Sequence, residues 1–191
     1  MQESIIDLIN DSIRNFSNIS KNKSQVLLIE QIANTIIDAY NNDCKLLLCG
    51  NGGSASDAQH IAAELSGRFE MDREPLNAEA LHVNSSYLTA VANDYGYEEV
   101  YARMVKAAGK NGDVLLALST SGNSSNVLKA IEQANHIGMT TIGFSGNDGG
   151  KMNEICKYNL IIPSSNTARI QEAHILVGHI ICKLIEQKIF K

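Results

Sequence analysis

A histidine and a carboxylate stand one helical turn apart in the segment LCGNGGSASDAQHIAAEL, residues 48–65. His60 and Glu64 are separated by four positions, so their side chains lie on one face of a helix. The later segment ARIQEAHILVGHI holds Gln171 and His179, whose eight-residue separation places them about 80° apart around a helix and able to face one broad cleft. Two imidazoles, a carboxylate and an amide suit zinc or another transition metal, and a histidine with a carboxylate also suits proton transfer.

The histidines of the chain also fit structural roles. A lone histidine on a packed helix face is often a hydrogen-bonded core residue, which is our interpretation of His174 and an alternative for His60. His82 and His136 are expected to be structural or exposed. The spacing of the four polar residues therefore needs support from other motifs.

A glycine-rich turn, GNGGS at residues 50–54, follows the apolar run KLLLC and precedes a helical pattern. Glycines allow positive-φ backbone close to a ligand, and the free N–H groups of a following helix attract an anion. The turn matches neither the Walker A pattern nor the G-x-G-x-x-G fingerprint. On its own, it also fits a plain connection between a strand and a helix.

A second polar loop, STSGNSS at residues 119–125, follows the run DVLLAL and brings five hydroxyl groups to another helix start. One serine would suffice for an N-cap, whereas a phosphate has several oxygens that need donors, so we favour a phosphate site. The loop has no lysine, which suits a sugar phosphate rather than a nucleoside triphosphate. The pair Asn93-Asp94, before Tyr-Gly-Tyr, fits a turn or a helix cap by its spacing alone.

Apolar runs alternate with helical patterns along most of the chain, which predicts an α/β fold. Short buried strands that alternate with helices form a parallel sheet covered on both faces, and ligands bind beyond the carboxyl ends of its strands. Ser24 is expected to cap the second helix, and the helix pair before the first strand either packs against a partner subunit or covers its own sheet. The predicted strands are 45–50, 79–83, 113–119, 140–146 and 158–164, and the predicted helices are 3–19, 24–41, 55–68, 86–93, 97–109, 124–137, 150–156 and 167–189.

The composition argues against several classes of partner. A formal charge of −5 without a basic cluster disfavours nucleic acid, and apolar runs of about strand length predict no transmembrane helix. The acidic, amphipathic start MQESIIDLINDSIRNF lacks the basic segment and apolar core of a signal peptide. No C-x-x-C pair occurs, so the cysteines are expected to be reduced thiols in a cytoplasmic protein. They are Cys44, Cys49, Cys156 and Cys182.

Five motifs occur in one order and with one spacing that together mark a family: CGNGGSASDAQHIAAEL, ANDYG, STSGNSSNV, GGKM and ARIQEAHILVGHIICKLIE. With them the chain resembles the phosphoheptose isomerases of the sugar isomerase (SIS) fold over essentially its whole length. The resemblance implies a single α/β SIS domain over residues 1–191, with a five-stranded parallel sheet flanked by helices. The N-terminal helix pair, residues 1–43, would serve in packing or oligomerisation.

The resemblance also implies an activity and a site. The family interconverts sedoheptulose 7-phosphate and D-glycero-D-manno-heptose 7-phosphate, the first step towards ADP-heptose for lipopolysaccharide or related glycans. It is a cytoplasmic homotetramer that binds zinc, here expected as one ion per subunit, and Glu64 would be the base with His179 as its acid/base partner through an enediol-type intermediate. The implied metal ligands are His60, Glu64, Gln171 and His179. The implied substrate contacts are Asn51, Gly52, Gly53, Ser54, Asn93, Asp94, Ser119, Thr120, Ser121, Ser124 and Gln171.

One position departs from the family pattern, and two other functions compete. Some relatives carry an acid immediately before Arg-Ile-Gln-Glu, where this chain has Ala168. A DnaA initiator-associating protein shares the fold and the Ala-Arg-Ile-Gln-Glu stretch but is a non-catalytic scaffold; Glu64 and His179 favour the isomerase. The phosphate loop would equally suit an isomerase of another sugar phosphate or a regulatory domain that binds one.

Overall fold

Five parallel strands form the centre of the computed structural model, which describes residues Met1–Lys191. Their spatial order is β2-β1-β3-β4-β5, and every neighbouring pair is parallel. This arrangement confirms the predicted five-stranded parallel sheet. The strands are β1 Leu46–Gly50, β2 Ala78–Ala80, β3 Val114–Ser119, β4 Thr140–Gly146 and β5 Tyr158–Ile162.

Helices cover both faces of this sheet. A single 3₁₀ turn, Tyr97–Glu99, precedes α5 and occupies the start of a predicted helix. The helices are α1 Gln2–Lys21, α2 Lys23–Asn41, α3 Gly53–Ser66, α4 Ser85–Tyr95, α5 Val100–Ala108, α6 Ser125–His136, α7 Met152–Ile155 and α8 Thr167–Ile189.

The alternating side chains of the strands enter two separate hydrophobic cores. Leu46 and Leu48 of β1 pack in a core of 27 buried residues that includes residues of α2, α3 and α8. Leu47 and Cys49 pack in a second core of 15 residues with side chains from α5 and α6. Burial on both faces explains why these strands read as continuous apolar runs rather than as alternating patterns.

The strand order reverses direction at β1, because the chain adds β2 on one side of it and β3 on the other. Ligands of open α/β sheets bind at such a switch point, beyond the carboxyl ends of the two strands. The glycine turn follows β1 and the hydroxyl-rich loop follows β3. The topology therefore brings the two polar loops to the same edge of the sheet.

Two local predictions are wrong. Ser24 does not cap α2: the cap is Asn22, whose Oδ1 accepts hydrogen bonds from the backbone N–H groups of Ser24 at 3.1 Å and Gln25 at 3.3 Å. Strand β2 ends at Ala80 rather than at residue 83. The backbone N–H of Leu81 still donates to the Leu48 carbonyl at 2.9 Å, but the chain then turns.

The two N-terminal helices differ in what they bury. Helix α2 buries Ile32 and Ile36 in the core, so it covers its own sheet. Helix α1 buries only Asn15 and Ile19 and leaves a row of large apolar side chains exposed. The exposed side chains are Ile5, Ile6, Leu8, Ile9 and Ile13. None of the helices combines the length and the apolar character that a membrane crossing requires.

Candidate active site

Three potential metal ligands from two helices meet beside the sheet. His60 and Glu64 lie on α3, and His179 lies on α8. The His60 Nε2 atom is 3.0 Å from the His179 Nε2 atom and 3.1 Å from a Glu64 carboxylate oxygen. One ligand atom from each of the three residues falls within 4.8 Å of the others. The helical spacing predicted the first pair, and packing of α3 on α8 supplies the third member.

The chemistry of this donor set fits a divalent transition metal. Two imidazole nitrogens and one carboxylate oxygen form a mixed set that zinc accepts in both structural and catalytic sites. Two imidazole nitrogens that face each other need either a shared proton or a shared cation between them. His60 is exposed, whereas Glu64 and His179 are half-buried, so the cluster opens to solvent on one side.

An aromatic ring from the loop after α3 covers one side of His179. The Phe69 ring stacks on the His179 imidazole with a centroid separation of 5.5 Å and an interplanar angle of 22°. His60 approaches the same imidazole edge-on, at 5.2 Å and 68°. Phe69 is therefore a site residue that the sequence analysis did not single out, since no periodic spacing connects it to α8.

Gln171 lies against the first residue of α3. A side chain at Gly53 would place its Cβ atom 2.5 Å from the Gln171 Nε2 atom, so the absence of a side chain is what lets the Gln171 amide lie this close to the start of α3. The preceding Gly52 has a positive φ of 55°, which glycine adopts at little cost. The glycine turn thus positions the amide of a predicted ligand, which lies on the same helix as His179.

The predicted phosphate loop brings three hydroxyl groups together. The Ser119 Oγ atom is 2.9 Å from the Ser124 Oγ atom and 3.4 Å from the Ser121 Oγ atom. Ser124 occupies the N-cap position of α6, but its side chain makes no capping hydrogen bond. The arrangement favours the phosphate interpretation over the N-cap alternative, because these hydroxyls point towards one another at a helix start.

A reciprocal amide pair connects the two polar loops. The Asn51 side chain donates to Asn126 at 2.8 Å, and the Asn126 side chain donates back to Asn51 at 2.9 Å. The Tyr97 hydroxyl also donates to the Asn51 Oδ1 atom, at 3.3 Å. Asn126 is buried, and no sequence spacing had connected it to the glycine turn.

The remaining predicted substrate contacts lie around these two loops. Ser54 is buried at the start of α3, and the Thr120 carbonyl accepts a hydrogen bond from the Asn147 side chain at 3.2 Å. Asn93 and Asp94 are exposed in the last turn of α4, where the Asn93 side chain donates to Asp94 at 2.9 Å. This pair neither caps α4 nor contacts another predicted site residue by a hydrogen bond.

Two titratable groups are perturbed: Asp57 beside His60, and His174 in the core of α8. Burial raises the pKa of the Asp57 carboxyl to about 6, although the nearby His60 opposes the shift. Burial lowers the pKa of His174 to about 4, against the effect of a hydrogen bond to the Ser145 carbonyl. His174 is fully buried, which confirms its predicted structural role. Asp57 is a further acid beside His60 that the sequence analysis missed.

The comparisons with known proteins agree with this geometry. A family model described as SIS domain matches residues 9–146. The phosphoheptose isomerase of Clostridium acetobutylicum is 50% identical over 182 residues, which are 95% of this chain and 93% of that protein. The phosphoheptose isomerase of Aneurinibacillus thermoaerophilus is 47% identical over 191 residues, which are 100% of this chain and 96% of that protein.

The solved structures give the same relationship. The phosphoheptose isomerase of Neisseria gonorrhoeae superimposes with a TM-score of 0.92 and 42% sequence identity, covering 97% of this chain and 98% of the other. Five parallel strands, the two polar loops at the switch point and the matching relatives support one conclusion. The chain belongs to the SIS domain family and, within that family, to the phosphoheptose isomerases.

Proposed function

We propose that the chain is an aldose–ketose isomerase that converts sedoheptulose 7-phosphate to D-glycero-D-manno-heptose 7-phosphate, the first step of ADP-heptose biosynthesis. The observation that carries this proposal is the meeting of His60, Glu64 and His179 within 4.8 Å. The names of the relatives that cover nearly the whole chain support the substrate class. A carboxylate and an imidazole in contact suit the removal and return of a proton.

The two polar loops would hold opposite ends of the substrate. The hydroxyls of Ser119, Ser121 and Ser124 would bind the phosphate, together with the backbone N–H groups at the start of α6. The glycine turn at the start of α3 would hold the sugar chain near the metal cluster. The further contacts proposed there are Asn51, Gly52, Gly53, Ser54, Asn93, Asp94, Thr120 and Gln171.

Glu64 and His179 would carry the proton transfers. Movement of the carbonyl from C2 to C1 requires loss of a proton from the carbon beside the carbonyl and its return to the neighbouring carbon. A carboxylate suits the carbon-bound proton, so Glu64 is the proposed base, and His179 would transfer protons at the two oxygens. The product of the first transfer is an enediol-type intermediate.

The proposed zinc ligands are His60, Glu64, Gln171 and His179. When bound, zinc supplies positive charge that stabilises negative charge on the substrate oxygens. Glu64 then has two competing roles, because a carboxylate that binds a cation is a poorer base. Either Glu64 alternates between the two roles or the metal serves partly to hold His60 and His179 in place.

The proposed assembly is a homotetramer that acts in the cytoplasm, where phosphorylated sugars are metabolised. The exposed apolar row of α1, with Ile9 at its centre, supports a role for residues 1–43 in subunit packing. An apolar groove of about 430 Å³ continues this surface between α1, α2 and α8, and Phe16 and Ile180 line it. Surfaces of this kind mark contacts with other protein subunits.

The test is proton exchange during turnover, followed by NMR in deuterated water. Zinc-loaded protein is expected to form heptose 7-phosphate from sedoheptulose 7-phosphate and to place solvent deuterium at C2 of the product. Glu64→Gln keeps the side-chain size and removes the base, so turnover should fall by at least about 10²-fold, with an unchanged far-UV circular dichroism spectrum.

Three outcomes would contradict the proposal in different ways. Near-normal turnover in Glu64→Gln would exclude Glu64 as the base. A clear preference for a six-carbon ketose phosphate would defeat the substrate assignment. If the protein binds purified DnaA and converts no sugar phosphate with any divalent metal added, the non-catalytic scaffold is favoured.

A further inference from the structure

A buried ion pair lies between α8 and the loop that follows α3, residues 67–77, outside the set of proposed site residues. The Arg73 Nε atom donates to a Glu186 carboxylate oxygen at 3.0 Å, and the two side chains are 2% and 1% exposed. Buried charges of this kind carry a large desolvation cost unless hydrogen bonds satisfy them. The hydrogen bonds around this pair show what it holds together.

Glu186 holds the loop backbone. Its carboxylate accepts hydrogen bonds from the backbone N–H groups of Phe69 at 3.0 Å, Glu70 at 3.0 Å and Met71 at 3.1 Å, in addition to the bond from Arg73. Three successive N–H groups thus point at one carboxylate. Since this carboxylate belongs to α8, the position of the Phe69 backbone is fixed relative to that helix.

Arg73 closes the end of α3. Its guanidinium donates to the backbone carbonyls of Glu64 at 2.9 Å, Leu65 at 2.7 Å and Gly67 at 3.1 Å. The last carbonyls of a helix have no partner within the helix, and a cation near them also interacts favourably with the helix dipole. One of these carbonyls belongs to Glu64, the proposed base.

The same ion pair is connected to the other proposed catalytic residue, His179, through Phe69. Glu186 is seven positions after His179 on α8, so the two side chains lie two turns apart on nearly the same helix face. The loop segment that Glu186 fixes carries Phe69, whose ring stacks on His179 at 5.5 Å. One ion pair therefore contacts the helix end that carries Glu64 and fixes the ring that packs on His179.

We propose that Arg73 and Glu186, together called the loop clamp, are positioning residues that fix Glu64 and His179 relative to each other for metal binding and proton transfer. This inference rests on the proposed function of that site. Residues that orient metal ligands from outside the ligand set often change metal affinity or activity about 10–100-fold when they are replaced. The loop clamp acts through backbone carbonyls, backbone N–H groups and the Phe69 ring.

The chain provides a matched control for this proposal. Lys183 and Glu70 form a second ion pair between the same helix and the same loop, at 2.9 Å, but both side chains are about half exposed. Exposed pairs of this kind contribute little to stability. Lys183→Met therefore removes a contact between α8 and the loop without touching the carbonyls of α3 or the N–H groups held by Glu186.

The experiment compares wild type, Arg73→Lys, Phe69→Leu and Lys183→Met as full-length proteins. Arg73→Lys keeps the positive charge but has no fork of donors to reach Glu186 and the carbonyls at once. Co²⁺ binding is measured through its visible absorption spectrum and by competition with a chelator, and thermal unfolding is measured on metal-free protein. Isomerase kinetics are then recorded with zinc.

Arg73→Lys is expected to weaken Co²⁺ binding about 10–100-fold, to alter the cobalt spectrum, and to lower kcat more than it changes KM. Phe69→Leu should alter the spectrum in the same direction with a smaller loss of affinity, and Lys183→Met should match wild type. A merely structural ion pair would lower the melting temperature but leave the affinity and spectrum of the folded protein unchanged.

Two results would overturn the loop clamp. One is a folded Arg73→Lys protein with wild-type cobalt affinity, spectrum and kcat. If Arg73→Lys does not fold, Phe69→Leu decides, and a wild-type spectrum and affinity in that variant would refute the proposal. Wild-type protein that neither binds Co²⁺ nor isomerises a sugar phosphate would instead refute the proposed function on which the clamp rests.

Discussion

At the scale of single residues, the candidate site depends on polar side chains that contact one another. The hydroxyls of Ser119 and Ser124 lie 2.9 Å apart, and Ser124 leaves the start of α6 uncapped. Hydroxyl groups rotate freely to serve as donors or acceptors. The hydroxyls of Ser119, Ser121 and Ser124 can therefore contact one another and can also turn their hydrogens to a phosphate.

Ser121→Ala should weaken substrate binding without changing the fold. The Ser121 Oγ atom accepts one hydrogen bond from the Asn123 backbone N–H at 3.2 Å, and the residue is exposed, so its loss costs little stability. A hydrogen bond to a charged group contributes about 1.5–3 kcal/mol, which corresponds to a rise in KM of about 10–100-fold at nearly constant kcat. Steady-state kinetics measure this, with Ser86→Ala, at an exposed position of α4, as the control. An unchanged KM in Ser121→Ala would count against the phosphate role.

His174→Gln should remove a pH dependence of stability. The folded pKa of His174 is about 4 and its ordinary value is 6.5, so below pH 6.5 the unfolded chain binds a proton that the folded chain does not. The contribution of neutral, buried His174 to the free energy of unfolding is therefore fully present above pH 6.5. It is lost as the pH falls towards 4, by about 3 kcal/mol in all. Glutamine keeps a donor for the Ser145 carbonyl but does not titrate.

Urea unfolding of both proteins between pH 7 and pH 4 measures this difference. The free energy of unfolding of wild type should fall more steeply with decreasing pH than that of His174→Gln. The control is His136→Gln, since His136 is exposed at the end of α6, and its slope should equal that of wild type. Parallel curves for wild type and His174→Gln would show that His174 is not held neutral.

At the scale of elements, the sequence predicts what local periodicity encodes and misses what only tertiary contacts decide. Strand β4 and helix α8 have the predicted bounds, because a buried parallel strand and a long amphipathic helix leave strong patterns. His60 and Glu64 were predicted from their spacing for the same reason. Phe69, Arg73 and Asn126 contact residues that are far from them in the sequence. No helical or strand spacing in the sequence predicts such contacts.

Gly53→Ala should separate the stability of α3 from its role in the site. Gly53 is the first helical residue and does not need a positive φ, so alanine is tolerated there and is up to about 1 kcal/mol more favourable in a helix. Its Cβ atom would collide with the Gln171 amide, which is the mobile end of a side chain and can turn away. The expected result is an equal or higher melting temperature with weaker substrate or metal binding, by about 10-fold or more.

Calorimetry and kinetics on the same preparation check both halves of this expectation. Ser56→Ala, an exposed position one turn further along α3, is the control and should match wild type in KM and metal affinity. Wild-type kinetics and zinc affinity in Gly53→Ala would mean that the contact between the glycine turn and Gln171 has no part in the site. A large loss of stability would mean that Gln171 cannot move as expected.

At the scale of the whole molecule, the fold completes its own core but not the surface of its first helix. The strands β1 and β3 contribute side chains to both cores of the chain, whereas α1 buries only two residues and exposes five large aliphatic side chains. The sequence predicted an amphipathic helix here, with either its own sheet or a partner as the surface that it covers. Helix α2 covers the sheet, and the exposed apolar row of α1 is the surface that we propose for a subunit contact.

Ile9→Glu should therefore disrupt the proposed tetramer while leaving each subunit folded. Ile9 is 55% exposed in the single chain, so the change removes no intramolecular core contact, but it would bury a charge in an interface at a high cost. Sedimentation velocity should show smaller species for Ile9→Glu at micromolar concentration, with an unchanged circular dichroism spectrum. The control, Ala107→Glu, adds the same charge at an exposed position of α5 on the opposite face of the sheet and should sediment like wild type. If Ile9→Glu sediments like wild type, the α1 row is not a subunit contact, and if wild type is itself a monomer, the tetramer proposal fails.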